Sequence, residues 1–367
     1  MRRKNLVGNI AAYSAAHALV DGACAATLFA IIGSSRNGLQ NLVQFVLIYD
    51  FIAFAAQPIF GLLVDALKAP AQMAATGIAL VAASILMMKI PLLAIVTSGI
   101  GNAIFHVGGG YVSLNLGRGK AALPGIYVAP GALGLTIGIM IGKNGGFVAW
   151  PFILLLVISA ILILELPRLD IPAPRTLPGN LRRFETVILL LLVSVVIRSL
   201  VGQSLILPWK SDPTLLLTLT MAVVLGKGLG GILADWFGWS VIALSGLALS
   251  AFLLAFFAPN PALAIVGTFL FNLSMPVTLV CLADMLPGRS GFAFGLTALA
   301  LIIGALPAFT SLHTITGGAG FIFASVLISS AALFVGLRLY NGHFRVHAPV
   351  LRKGIQSEDY KGERYGN

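Results

Sequence analysis

A histidine and an aspartate stand four residues apart in a long apolar run near the start of the chain. In an α-helix this spacing places His17 and Asp21 on one face, where their side chains contact each other. An imidazole changes its charge near neutral pH, so the pair has the chemistry of a proton relay. The alternative is a permanent hydrogen bond that only fixes helix packing.

A second polar pair with the same spacing occurs in another apolar run. Asn102 and His106 share one helical face, and Asn272, much further along the chain, is a comparable amide within an apolar run. Imidazole and carboxylate groups also bind divalent transition metals, so a metal ion is the alternative to a proton. The candidate ligands for such an ion are His17, Asp21, Cys24 and His106.

Two basic residues and one further acid also interrupt apolar runs. Arg198 stays charged even when buried, and its guanidinium can bind a carboxylate, phosphate or phosphonate through two parallel hydrogen bonds. Alternatively, it forms an ion pair with Asp21 or with Asp50, and Asp50 competes with Asp21 for the proton-coupling role. Lys227 either reaches the same site or extends along its helix to the nearest aqueous surface.

The elements that carry these residues are long apolar segments. Of 367 residues, 58% are hydrophobic and only 10% are charged, whereas soluble domains are about 25% charged. A membrane span needs roughly 20 apolar residues, which predicts an all-α membrane protein with about twelve transmembrane helices. The predicted spans are 8–32, 40–66, 72–89, 91–115, 122–142, 146–166, 185–208, 213–234, 239–257, 261–286, 291–314 and 321–340.

The positive charges predict the orientation and argue against a nucleic-acid partner. Most of the 23 basic residues fall in segments that lie on one side when both termini are cytoplasmic, as the positive-inside rule expects. We therefore expect a multi-pass protein of the cytoplasmic (inner) membrane. The net charge of +11 is scattered between spans and forms no basic patch interleaved with aromatic residues, so the lipid bilayer is the expected partner.

A short repeat divides the chain into two halves. Gly61 and Asp65 of the first half recur as Gly231 and Asp235 in the second, and Asn102 recurs as Asn272 at the same offset. Two pseudo-symmetric six-helix bundles follow from this repeat. The predicted domains are an N-terminal bundle at 1–166, a cytoplasmic connector at 167–184, a C-terminal bundle at 185–340 and a cytoplasmic tail at 341–367.

Two groups of motifs resemble those of a known superfamily of transporters. Gly61, Asp65 and Lys68 resemble the signature between the second and third spans of the major facilitator superfamily, which implies a gating role for Asp65 and for its repeat Asp235. Within that superfamily, His17 with Asp21, and Phe105-His106 with Gly108-Gly109, resemble efflux proteins of the fosmidomycin-resistance type. This resemblance implies proton-coupled efflux of a small, anionic compound.

These observations favour a secondary active transporter over an enzyme. The expected function is proton-coupled export of a small organic anion by alternating access, without a cofactor and as a monomer. The alternative is a transporter of divalent transition metals that uses His17, Asp21 and His106 as ligands. A membrane enzyme is disfavoured because the sequence contains no nucleophile elbow, phosphate-binding loop or paired-carboxylate metal motif.

Overall fold

The computed structural model describes residues 3–34, 38–167, 181–310 and 313–343. Within these ranges the regular structure is helical and contains no strand. Ten helices are long and apolar enough to cross a membrane, and two shorter apolar helices bring the number of long apolar helices in the described ranges to twelve. Their bounds are Arg3–Ser34 (α1), Gly38–Asp50 continued by Gln57–Leu67 (α2), Pro70–Leu86 (α3), Pro91–Leu116 (α4), Ala122–Lys143 (α5), Ala149–Glu165 (α6), Leu181–Ser204 (α7), Pro213–Phe237 (α8), Trp239–Phe256 (α9), Pro261–Asn272 continued by Met275–Met285 (α10), Ser290–Ala305 (α11) and Ala319–His343 (α12).

The predicted all-α membrane fold with about twelve helices is confirmed. Most bounds agree with the prediction to within a few residues, but α1 begins earlier, at Arg3, and α11 ends earlier, at Ala305. The predicted connector at 167–184 and tail at 341–367 lie largely outside the described residues.

Local sequence signals set many helix ends. Proline stands at the first position of α3, α4, α8 and α10. A backbone N–H at that position has no acceptor within the helix, so its absence in proline costs no helical hydrogen bond. The side chain of Asp212 accepts hydrogen bonds from the backbone N–H groups of Thr214 and Leu215, and so caps α8. At the end of α2, Lys68 adopts a left-handed conformation with φ of 52°, which terminates that helix.

The helices form two bundles with equivalent packing. In the first half, α1 packs on α5 and α6, and α3 packs on α4 and α6. In the second half, α7 packs on α11 and α12, and α9 packs on α10 and α12. The halves meet through α5 against α8 and α2 against α11, two contacts that exchange under the repeat. Large apolar side chains remain exposed on the outside, as on α6 at Leu154, Ile158 and Ile161, where lipid is the solvent.

Two helices are irregular near mid-depth. In α2 a π-helical segment, Phe51–Ala55, follows Asp50 directly, and π-helical turns occur frequently at functional sites. In α10 the regular helix stops at Asn272 and resumes at Met275, one residue before Pro276. The sequence predicts continuous spans at 40–66 and 261–286, and the structure interrupts both.

Candidate functional site

The structure brings four of the predicted site residues together between α1 and α4. The Nε2 atoms of His17 and His106 lie 2.8 Å apart. Asp21 places one carboxylate oxygen 3.2 Å from the His17 Nε2 and the other 3.5 Å from the His106 Nε2. The Asn102 side-chain amide donates a hydrogen bond of 3.0 Å to Asp21. We call these four residues the histidine–aspartate cluster. Both imidazoles are buried.

Helix α5 fixes the orientation of α1 through backbone oxygens. Pro130 has no N–H, so the carbonyl of Ile126 lacks its helical donor and instead accepts a hydrogen bond from the Ser14 hydroxyl. One residue later, the carbonyl oxygen of Tyr127 lies 2.9 Å from the Nδ1 of His17. The Tyr127 hydroxyl in turn donates to the backbone carbonyl of His106, which ties α4 to the same turn.

The hydrogen bonds of the two rings define where a proton must lie. Each Nδ1 faces a backbone carbonyl oxygen at 2.9 Å, that of Tyr127 for His17 and that of Asn102 for His106, so each Nδ1 carries a hydrogen. In the neutral rings both Nε2 atoms would then be acceptors facing each other. An N–H···N hydrogen bond between them requires one additional proton, whose charge the Asp21 carboxylate balances.

The same three side chains were the alternative metal ligands, and they do converge. One ligand atom from each of His17, Asp21 and His106 lies within 4.8 Å of the others. Two nitrogen ligands of a tetrahedral zinc ion, however, stand about 3.3 Å apart. The 2.8 Å between the two Nε2 atoms suits a shared proton better than two metal bonds. Cys24 contacts Asn102, at 3.8 Å, rather than the imidazoles.

Arg198 lies in the other half and has only uncharged partners. Its Nε donates to the carbonyl of Ser194 at 3.2 Å, and its terminal nitrogens donate to Ser274 at 2.6 Å and Thr278 at 2.8 Å. Within the described ranges, no carboxylate lies within 4.0 Å of the guanidinium. The alternative ion pair with Asp21 or Asp50 is therefore not formed in this conformation.

A cavity of about 350 Å³ adjoins Arg198 in the second half. Lys227 and Asn272 also line it, and it extends to Lys210 in the connection between α7 and α8. Much of the remaining wall is apolar and includes Val195 and Phe271. The volume falls within the usual range for small-molecule pockets, about 300–1,000 Å³.

The two sites lie on pairs of helices that are equivalent under the repeat, but their chemistry differs. The cluster uses α1 and α4, and Arg198 uses their counterparts α7 and α10. At the offset that relates Asn102 to Asn272, His106 corresponds to Pro276. Pro276 follows the interruption in α10 that carries Ser274, one of the two hydroxyl partners of Arg198. The first half therefore holds an acid–base cluster where the second half holds a cation.

Two of the predicted site residues make no hydrogen bond with the histidine–aspartate cluster or with Arg198. Asp50 is half-buried at the start of the π-helical segment and makes no hydrogen bond or ion pair with another described residue. The Asn272 side chain donates to the carbonyl of Thr268 and lines the cavity without contacting Arg198.

Asp65 and Asp235 join the two halves at one end of the molecule. The carboxylate of Asp65, at the end of α2, accepts hydrogen bonds of 2.8 and 2.9 Å from the backbone N–H groups of Gly291 and Phe292, in the first turn of α11. The carboxylate of Asp235, at the end of α8, accepts two bonds of 2.9 Å from the residues that begin α5, Ala121 and Ala122. Each carboxylate thus caps the positive end of a helix in the opposite half.

The helices approach so closely at these caps that only glycine fits. A side chain at Gly61 would overlap the backbone of Gly291, and one at Gly231 would overlap the backbone of Ala121. The repeated Gly and Asp of the sequence motif therefore belong to the same contact. The glycine lets the helix of the opposite half approach closely, and the aspartate caps that helix. The second copy has an additional donor, because the indole N–H of Trp239 also binds Asp235 at 2.9 Å.

Sequence reasoning missed the partners that other helices supply. These are Tyr127 for the His17 imidazole, Ser274 and Thr278 for Arg198, and Trp239 for Asp235. Two prolines were available as signals. Pro130 leaves the carbonyl of Ile126 without a helical donor, and Pro276 marks the interruption of α10.

Comparisons with known proteins identify the fold. No family model and no curated protein matches the chain. A solved structure of a single-residue variant of the Escherichia coli fucose:proton symporter FucP is 14% identical and superimposes with a TM-score of 0.60 over 92% of this chain and 98% of that chain. A second structure of FucP, a major facilitator superfamily transporter in the outward conformation, is 14% identical with a TM-score of 0.56 over 89% of this chain and 99% of that one. The chain has the major facilitator fold.

Proposed function

We propose that the protein is a secondary transporter that moves a small organic anion across the cytoplasmic membrane by alternating access, coupled to protons. The observation that carries this proposal is Arg198, a buried guanidinium beside a cavity with only neutral hydrogen-bond partners. The superimposed FucP is itself named a proton symporter.

The hydrogen bonds of Arg198 leave room for an anionic ligand. A guanidinium has five N–H donors and keeps its charge when buried, and three donors are used here, leaving two. An uncompensated charge in a low-dielectric site costs several kcal/mol. A carboxylate, phosphate or phosphonate group bound from the cavity would offset this cost. The apolar wall around Phe271 suits the organic part of such a molecule.

The histidine–aspartate cluster supplies the proton site of the proposal. Its geometry requires one proton between His17 and His106 that the deprotonated cluster lacks. Other titratable or charged groups lie near the cluster on four helices. They are Tyr13 and Cys24 on α1, Tyr49 and Asp50 on α2, Tyr127 on α5 and Lys227 on α8.

Alternating access is supported by the positions of the two caps and the cavity. Asp65 and Asp235 hold the halves together at the end where α2 and α8 finish. The cavity extends toward the opposite end, to Lys210 between α7 and α8. With both termini in the cytoplasm, this is a conformation closed to the cytoplasm, and each cap would break when the transporter opens inward. A monomer contains both halves and is sufficient.

The direction of transport depends on how the two sites influence each other. Export in exchange for protons, which the resemblance in the sequence implied, requires proton and anion to compete. Transport in the same direction requires each to favour the other.

Thermal stabilisation of the purified protein tests this proposal. The panel contains benzoate, phenylphosphonate, inorganic phosphate, a lipophilic cation and zinc, each at about pH 6 and about pH 8. A saturating ligand adds about 2.7 kcal/mol of stability at a hundredfold excess over its dissociation constant. We expect an organic anion to stabilise the protein, and Arg198→Gln to abolish that effect.

The control is Arg338→Gln, which makes the same change at an exposed arginine of α12. Stabilisation by zinc that is lost in His17→Ala, with no response to any anion, would replace the proposal with metal transport. No response to any anion would refute the anion site.

A further inference from the structure

Lys227 is a second cation beside the anion cavity. It stands on α8 and lines the cavity together with Arg198. Unlike Arg198, it makes no hydrogen bond or ion pair with another residue of the described ranges. Its ammonium group is therefore not committed to a protein partner in this conformation.

Near Lys227, helix α8 packs on the turn of α5 that contacts the histidine–aspartate cluster. The Lys227 carbonyl faces Gly125 of α5, and a side-chain carbon at Gly228 would lie 3.6 Å from Ala129. Between Gly125 and Ala129 lies Tyr127, whose carbonyl binds His17. The charge of Lys227 is also within electrostatic range of Asp21 and His106. Lys227 thus lines the anion cavity, and its backbone packs on the α5 turn whose Tyr127 carbonyl binds His17.

We propose that Lys227 couples the two sites so that proton binding and anion binding favour each other, which makes the protein a proton–anion co-transporter. This inference rests on the proposed function and specifies its direction of coupling. In this inference Lys227 transmits the effect of proton binding at the cluster to anion binding in the cavity.

The charges give the sign of the coupling. When the shared proton has left the pair of imidazoles for solvent, the cluster carries the negative charge of Asp21 and attracts the Lys227 ammonium. Arg198 is then the remaining cation available to the substrate. When the proton is present, the cluster is neutral, and Lys227 and Arg198 together attract the anion. By linkage, a bound anion must favour proton binding by the same factor. Exchange would require the opposite sign.

The experiment measures the protons taken up when an anion binds. The probe is benzoate or phenylphosphonate, whichever stabilises the protein more, titrated calorimetrically in two buffers with different ionisation enthalpies. We expect net proton uptake, and about tenfold tighter binding at about pH 6 than at about pH 8.

Lys227→Gln should remove most of both effects, and Lys227→Arg should retain them. The matched control is Lys210→Gln, which removes an exposed lysine at the outer end of the same cavity. It should weaken binding without changing the number of protons taken up.

The outcomes separate this inference from the proposed function. Absence of binding by both probes overturns the anion site, and the coupling with it. Binding that releases protons, binding without proton uptake, or uptake that Lys227→Gln leaves unchanged overturns the coupling alone. Should Lys227→Gln not fold, Asp21→Asn tests the link from the other side. With no negative charge to attract Lys227, the anion should bind as tightly at about pH 8 as at about pH 6.

Discussion

Asp65 and Asp235 occupy equivalent positions of the repeat and make the same contact in opposite directions across the interface between the two halves. Each accepts two backbone N–H groups at the start of a helix in the other half, α11 for Asp65 and α5 for Asp235. Both contacts lie at one end of the molecule, where they join the two halves.

Removing either charge should weaken this contact between the halves. Asp65→Asn leaves one side-chain oxygen for two N–H donors and removes the charge that the helix end favours. We expect a loss of about 1–2 kcal/mol from the closed conformation. Asp235→Asn should cost at least as much, because its one remaining side-chain oxygen faces the three N–H donors of Ala121, Ala122 and Trp239. Thiol labelling of Ala122→Cys, at the start of α5, should become faster in both variants.

The native cysteines do not obscure this measurement, since Cys24 and Cys281 are buried. Asp212→Asn is the control, because Asp212 caps its own helix within one half, at the opposite end. Equal labelling rates in all variants would show that the two caps do not hold the conformation.

Replacing the carboxylate of the cluster should abolish proton-driven transport. In Asp21→Asn the amide cannot balance a proton between His17 and His106, although the hydrogen bond with Asn102 can persist. Proton movement into liposomes that contain the protein, followed with a pH-sensitive dye, should fall to background while the protein stays folded. Asp50→Asn makes the same chemical change outside the cluster and should retain more activity. Undiminished proton movement in Asp21→Asn contradicts the assignment.

One glycine of α5 should tolerate no side chain. A β-carbon at Gly131 would lie 2.5 Å from the His17 Nε2 and 2.6 Å from an Asp21 carboxylate oxygen. Gly131→Ala should separate α1 from α5 and lower the free energy of unfolding by about 1–3 kcal/mol. Gly202→Ala, on α7, has no atom within 4 Å of the added carbon. It should be neutral or slightly stabilising, by up to about 1 kcal/mol. Thermal unfolding of both variants measures the difference, and equal stabilities would show that the site has room.

Arg198 should lower the free energy of unfolding of the ligand-free protein. Replacing a buried ion pair by apolar side chains is often neutral or stabilises a protein by about 1–4 kcal/mol, and a buried charge without an ionic partner carries the desolvation cost with no compensating attraction. Arg198→Met should therefore raise the melting temperature of the ligand-free protein and abolish its stabilisation by organic anions. Arg338→Met, at an exposed position, should change neither. A strongly destabilised Arg198→Met protein that still responds to anions would show that the guanidinium is a packing element.

The sequence by itself determined the elements and the contacts within each helix. Apolar runs long enough to cross a bilayer must be helical there, because no other local structure satisfies their backbone groups in lipid. A spacing of four fixes side chains on one helical face, so the proximity of His17 to Asp21 and of Asn102 to His106 follows from the chain alone. The internal repeat paired Asp65 with Asp235, since equivalent sequence takes equivalent positions in the two halves.

Tertiary structure decided which faces meet. The 2.8 Å contact between His17 and His106 joins residues 89 apart in the chain, and the partners of Arg198 are 76 and 80 residues away from it. Such contacts depend on how whole helices pack. Small residues set how closely two helices approach, and backbone carbonyls without a helical donor, such as that of Ile126, bind side chains of the neighbouring helix. A pattern within one helix carries no record of the neighbouring helix. The sequence therefore supplied the chemistry of each site, and packing determined that the acid–base cluster and the cation are two sites in opposite halves.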